Sequence, residues 1–239
     1  MIDLHLKRLR ARDDISADEE RALRDAVADV RDLPSQRVAV RAGEELSQSL
    51  ILMDGLMCRF KDLRDGDRQI CELHIPGDFP DLHSFTLKRL DHNLLALTAC
   101  RVAIVPHERL ARITRDFPHL TRVYWSMTNM DAAIHREWVL SLGRRTASQR
   151  MANLFCELHV RMGVVGLARG DEYDLPVTQA TLAEALGLTP VHVNRTLKEL
   201  REAGLLSFRS GRVKLIDRAG LVRAAEFDPS YLYLEKRDR

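Results

Sequence analysis

The period of the apolar residues changes once along this chain, and that change constrains the fold more than any other feature. Between Arg37 and Val105 apolar side chains fall in short runs: Val38/Val40, Leu50/Leu52, Leu56/Cys58/Phe60 and Ile70/Leu73/Ile75. Such runs belong to strands. Turn signals separate them at Ala42-Gly43, Asp54-Gly55, Asp65-Gly66 and Pro76-Gly77. Short strands punctuated by glycine predict an antiparallel barrel or roll, closed by Leu94–Thr98 and Arg101–Val105 and followed by a short helix over His107–Ile113. From Leu120 to Leu142 the spacing lengthens to three and four, which predicts a helix roughly 34 Å long. Val123, Met127, Met130 and Ile134 form an a/d seam on it and are the expected dimer interface. Ala133 and Trp138 offer the roll a second apolar surface. The other reading of the seam is an amphipathic helix lying on its own barrel.

Other elements flank this pair. Ser16 and Glu19 are placed to form a capping box for a helix over Ala17–Val30, ended by Pro34. Gly143-Arg144-Arg145 is the expected hinge, with a further helix over Ser148–Arg161 and a polar loop over Gly163–Asp174. The expected domains are therefore a sensor at 1–117, a dimerisation helix at 118–143 and a third domain at 144–239.

Charge and cysteine usage narrow the function. Residues up to Gly143 carry 21 Lys and Arg against 23 Asp and Glu; those beyond carry 16 against 12. A basic C-terminal domain beside an acidic larger one fits a polyanion partner. Cys58, Cys71, Cys100 and Cys156 form no CxxC pair and sit in apolar stretches, as reduced cytoplasmic thiols do. The N-terminus lacks a continuous apolar core, and no run reaches membrane-spanning length, so the expected location is the cytoplasm. No nucleophile–His–acid set, metal-ligand spacing or glycine-rich phosphate loop occurs, which argues against an enzyme and against a metal site.

The stretch from Thr178 to Gly204 is the most informative. Thr178 caps a first helix, Gln179–Leu186, with Leu182 and Leu186 on its apolar side. Ala183 and Gly187, four apart, leave room for a second helix, and Gly187-Leu188 makes the turn. Thr189 caps that second helix and Pro190 takes its first position, where a missing N–H is harmless. Val193, Leu197 and Leu200 face inward. Val191, Asn194, Arg195 and Lys198 line the opposite face, with His192 beside them. This is a helix-turn-helix with a basic outer face suited to a major groove. Leu205–Ile216 then alternates and turns at Ser210-Gly211, a hairpin wing whose Arg209, Arg212 and Lys214 suit phosphates. Asn194 and Arg195 carry donors for purine edges, and Val191 matches a thymine methyl. The DNA-contacting set is therefore Thr178, Gln179, Thr189, Val191, His192, Asn194, Arg195, Lys198, Arg209 and Arg212.

From about Arg37 to Ile216 the chain resembles the Crp/Fnr family of bacterial regulators. The resemblance rests on Pro76-Gly77-Asp78-Phe79, on Thr98–Val105, on the long helix, and on the run from Leu186 to Arg195. It implies an α+β fold: an N-terminal antiparallel β-roll of cyclic-nucleotide-binding type, a long central dimerisation helix and a C-terminal winged helix-turn-helix. It also implies a homodimer on a palindromic operator with its recognition helices about 34 Å apart. RNA polymerase is a further partner such a regulator would meet.

Two departures from the family pattern matter. In the cyclic-nucleotide receptors a Gly-Glu-Leu and then Arg-Ser or Arg-Thr follow Gly-Asp-Phe. Here Pro80-Asp81-Leu82-His83-Ser84-Phe85 follows, then Leu90-Asp91-His92-Asn93; Arg89 is close but beside Asp91. Cyclic AMP is therefore poorly held. No cysteine precedes Cys58, so the N-terminal iron–sulfur cluster of the oxygen-sensing branch is not expected either, and the cofactor expectation is none. His74, His83 and His92 read as barrel-edge residues. Pro190-Val191-His192 replaces the glutamate of familiar recognition helices, while Arg195 remains. The leading expectation is a DNA-binding transcription regulator governed by an unidentified small-molecule signal in the roll. The alternative is an effector-independent architectural or adaptor protein with a degenerate sensor.

Overall fold

The computed structural model describes residues 1–237 and divides them into two compact units. The first comprises residues 1–61, 73–133 and the described residues from Tyr233; the second comprises 62–72 and 134–232. The boundaries expected from sequence followed helix ends, whereas these follow packing.

The first unit opens with α1 (Asp3–Arg10) and α2 (Ala17–Asp25). Ser16 Oγ accepts from the Glu19 N–H at 3.3 Å and the Glu19 carboxylate accepts from the Ser16 N–H at 2.9 Å, the capping box expected there. The helix ends at Asp25, short of the expected Val30. Residues 29–33 are instead strand β1 (Asp29–Leu33), paired antiparallel with β7 (Cys100–Pro106). An open sheet edge captured a stretch that local periodicity assigned to helix. α1 was not foreseen; its Leu6 and Leu9, and Ile2 just before it, are buried.

Strands β2 (Val38–Val40), β3 (Gln48–Asp54), β4 (Met57–Asp62), β5 (Arg68–His74) and β6 (Asn93–Ala96) complete the roll, with the short helix α3 (Ser84–Leu87) between β5 and β6. They form two sheets, ordered β1-β7-β3 and β2-β6-β4-β5. In β3 and β7 both faces are buried. Leu50, Leu52, Val102 and Ile104 join Val40, Met57 and Leu94 in one core cluster. Ile51, Ala103 and Val105 face the other way, into a cluster built with α1, α2, α4 (His107–Asp116) and α5 (Pro118–Arg144). Alternate residues therefore serve two cores, which is why these strands read as continuous apolar runs.

Burial also sets a titration. Asp81 accepts from the Leu50 N–H at 2.7 Å, is buried, and its carboxyl is pushed up to about 7 by desolvation, against the opposing pull of that hydrogen bond and of Arg59. Its folded pKa lies above its unfolded one, so its contribution to stability is present below about pH 4 and lost as pH rises through about 7. Asp81→Asn, which keeps the acceptor and removes the charge, should raise the urea midpoint at pH 8 and flatten its fall between pH 5 and 8. A variant less stable at pH 8 than the parent would contradict this.

The second unit contains the C-terminal part of α5, then α6 (Ala147–Val165), β8 (Glu172–Asp174), α7 (Gln179–Leu186), α8 (Pro190–Glu202), β9 (Leu206–Arg209), β10 (Arg212–Leu215), α9 (Arg218–Ala225) and a 3-10 turn at Pro229–Leu232. α5 runs through Gly143 to Arg144, so the expected interruption falls slightly later, where Thr146 starts α6 with a capping box to Gln149. β8 lies in the stretch expected to be loop. It pairs with β10 and makes the wing a three-stranded sheet, β8-β10-β9. Buried inside this unit, the Glu157 carboxylate accepts from Trp138 Nε1 at 3.2 Å, Tyr231 Oη at 2.9 Å and Arg161 at 2.9 Å. Among the described residues no helix is long and apolar enough to cross a membrane.

Candidate nucleic-acid interface

The two helices of the motif begin on their capping threonines. Thr178 Oγ1 accepts from the Thr181 N–H at 3.0 Å, and Thr189 Oγ1 accepts from the His192 N–H at 3.3 Å, with Pro190 as the first helical residue of α8. Each satisfies an orphan donor that would otherwise weaken a short helix. Gly187 stands at φ +59°, the left-handed cap that ends α7. A Cβ there would meet Leu142 Cδ2 at 3.2 Å and the Arg150 guanidinium at 3.5 Å. Its small size thus serves the turn and its packing against α5 and α6, not the approach of α8 expected from its spacing to Ala183.

α8 is two-sided. Val193, Thr196 and Leu200 are buried, and Leu197 is half-buried. On the other side Val191 is 76% exposed, and His192, Asn194, Arg195 and Lys198 are exposed around it. Thr178, Gln179 and Thr189 are exposed too. Asn194 Nδ2 donates to Gln179 Oε1 at 3.4 Å, joining the two helices across their outer surface.

The wing completes the constellation. Ser210 and Gly211 both have positive φ, 49° and 73°, as a tight two-residue hairpin requires. The Leu175 N–H donates to Gly211 O at 2.7 Å, and a Cβ on Gly211 would lie 3.1 Å from Pro176 Cα. The wing tip therefore rests on the two residues just before the Val177-Thr178 start of α7. Tip, α7 start and the Asn194 end of α8 form one continuous surface carrying Arg209 and Arg212, both exposed.

The expected dimer seam is placed differently. Val123, Met127, Met130 and Ile134 are 1–6% exposed, buried within the chain itself, the first two in the core cluster with α1 and α2. The periodicity was real, but the chain's own core uses it. The open side of α5 is another row: Arg122, Trp125, Asn129, Ala132, Arg136, Val139 and Gly143, spaced three and four apart. Trp125 is 67% exposed and Val139 70%. Its mixed polarity hid it in the sequence; a large exposed tryptophan in heptad phase with a valine was the available clue.

Residues 149–224 match the Crp-like helix-turn-helix domain. A probable transcriptional activator of Rhizobium leguminosarum bv. viciae is 32% identical over 178 residues, which span 72% of this chain and 71% of that protein. The nitrogen fixation regulation protein FixK of Azorhizobium caulinodans is 31% identical over 174 residues, 72% and 69% of the two chains. The chain belongs to the Crp/Fnr family. Among solved structures, FixK2 from Bradyrhizobium japonicum superposes with a TM-score of 0.76 at 26% identity, covering 83% of this chain and 97% of that one. This Crp/Fnr protein is accordingly a DNA-binding transcription regulator with the α+β architecture of its family, and the relatives it matches are regulators rather than enzymes.

Within this Crp/Fnr chain the departures noted in the roll have structural counterparts. Leu82, near the position of the family's ribose-holding glutamate, is buried in the core. Arg89 donates to Gly43 O at 2.9 Å and to the Glu45 carboxylate at 2.6 Å. Asn93 Oδ1 accepts from the Ala42 N–H at 3.0 Å. Burial pushes the Cys156 thiol up to about 12 and also raises Cys100, which disfavours the reactive thiolate at both.

Proposed function

We propose that the chain acts as a homodimer that reads an inverted-repeat operator through the outer face of α8 and responds to a signal received in the β-roll. The observation that carries this reading is the two-sided helix: Val193, Thr196 and Leu200 hold it to the unit, while Val191, Asn194 and Arg195 stand open on a continuous surface with the wing tip. In this reading Arg195 donates to a guanine edge, Asn194 to an adenine edge, and Val191 meets a thymine methyl. Thr178, Gln179, Thr189 and His192 border that contact, Lys198 and Arg209 reach phosphate, and Arg212 lies beside them on the wing.

The exposed row on α5 supports a two-fold partner. Trp125, Ala132 and Val139 offer apolar contact, and Asn129 within the row favours one register, as a polar residue at a seam position does. The signal needs no cyclic nucleotide in this reading, because Arg89 is engaged by Gly43 O and the Glu45 carboxylate. The protein works in the cytoplasm. Relatives named as activators support RNA polymerase as a further partner.

Arg195→Ala tests the reading. It should weaken binding to a fragment selected from random-sequence DNA by about 1–3 kcal/mol and relax the preference at one base position in each half-site. Uniform loss across all positions, or no loss, would contradict the assigned role.

A further inference from the structure

The wing sheet carries a charge ladder whose acidic side neither the motif nor the fold requires. In an antiparallel sheet, residues directly opposite share a face. Here Asp174 of β8 is opposite Arg212 of β10, which is opposite Arg209 of β9; two residues along, Glu172 is opposite Lys214 and Lys214 opposite Ser207. The intervening row, Tyr173, Val213 and Phe208, forms the inner face. Tyr173 Oη donates to Phe155 O at 2.9 Å, and the Phe208 and Phe155 rings lie 5.7 Å apart, so this face is fixed against α6. The outer face has no freedom to turn away.

On that outer face two of the three cations have an internal counter-charge: Arg212 Nε lies 3.1 Å from Asp174 and Lys214 Nζ 2.9 Å from Glu172. Beside the sheet, Arg218 at the start of α9 lies 3.3 Å from Asp171, the residue before β8. The pairing holds the Glu172 carboxyl below and the Lys214 ammonium above their usual ranges. Arg209 differs: it is exposed and has no ion partner among the described residues. The acids also sit where DNA is read, since Asp174 immediately precedes the Leu175-Pro176 seat of the wing tip and the start of α7.

We propose that Asp171, Glu172 and Asp174 are specificity determinants that restrain the wing's grip on phosphate, so that the recognition helix supplies most of the binding. This rests on the DNA-reading role of α8 and deepens it. Sequence-independent affinity comes from cations that replace counterions on the phosphates, each steepening the dependence of log K on log salt by about 0.9. A guanidinium already neutralised by a carboxylate displaces fewer counterions. The carboxylate also stays within a Debye length of any phosphate the wing approaches, so it repels that phosphate. Non-specific binding falls, whereas base contacts on α8 lie outside the ladder. Exposed pairs of this kind add little to folding, so the acids can be changed without loss of the sheet.

The test uses the full chain and a short duplex of scrambled sequence, with binding followed by fluorescence anisotropy over a KCl series. The Glu172→Gln/Asp174→Asn variant should bind that duplex about 10-fold more tightly at low salt, with a slope steeper by about 1–2. Arg212→Gln should cost more in that background than in the parent. As single substitutions in the parent background, Arg209→Gln should flatten the slope by about 1 and Arg212→Gln by clearly less. Equal slopes for the parent and the amide variant, or equal effects of Arg209→Gln and Arg212→Gln in the parent, would overturn the proposal. Failure of the parent to bind any duplex at low salt would instead overturn the DNA-reading role on which it rests.

Discussion

Arg161→Met is expected to destabilise the second unit by about 3–5 kcal/mol, the cost of leaving a buried charge without its partner. Arg161 is 2.9 Å from Glu157 and 3.9 Å from Glu72, and both carboxylates are almost fully buried. Burial already holds the Glu157 carboxyl above its usual range, with Arg161 pulling it down and Glu72 pushing it further up. Without the guanidinium Glu157 is driven further towards its neutral form. Its folded pKa then lies further above the unfolded one, so the stability it contributes is present at acid pH and lost as pH rises. The measurable signature is a urea midpoint for Arg161→Met that falls more steeply from pH 5 to pH 8 than the parent's. A deficit that is small, or the same at both pH values, would show that the cluster is not held by this charge. Methionine fills much of the arginine stem's volume, which separates the electrostatic loss from a cavity.

The second large effect concerns assembly. Trp125→Glu places a carboxylate at the largest exposed apolar side chain of the open α5 row, where its two-fold mate would carry another. The expected result is a monomer by light scattering at concentrations where the parent is a dimer. Affinity for an inverted-repeat fragment should drop by about 10²–10⁴-fold, because the second half-site is no longer engaged at high effective concentration. Affinity for a single half-site should stay at the parent monomer's value, since Trp125 lies far along the sequence from α8. Met127→Glu, by contrast, should unfold the first unit, because Met127 is buried in its core. A Trp125→Glu protein that remains dimeric would move the interface elsewhere.

What the sequence disclosed, and what it hid, follows from where the determining interactions lie. The helix-turn-helix was legible almost residue by residue. Its capping threonines, Pro190 and inward Val193 and Leu200 act within a few residues of each other, and local rules cover such distances. β1 was misread as the end of a helix because its conformation is set by pairing with β7, some seventy residues away, which no local window contains. β8 was lost for the same reason: three residues in a polar stretch become a strand only because β10 offers them an edge. The apolar stripe on α5 is the most instructive case. Sequence periodicity finds the most apolar stripe of a helix, and on α5 that stripe is used by the chain's own core. The face left exposed, which we propose meets the second copy, is more polar, with Arg122, Asn129 and Arg136 among its members, and no local pattern marks it.

The central claim is that the exposed side of α8 reads a two-fold DNA sequence. Selection of bound duplexes from a random-sequence pool, carried out in parallel with the parent and with an Asn194→Ala/Arg195→Ala variant, tests it most directly. The account predicts that the parent enriches an inverted repeat with half-site centres one helical turn apart, about 34 Å, and that the variant loses preference at the bases facing those two side chains. Enrichment of the same repeat by both proteins, or of no repeat by the parent, would contradict it.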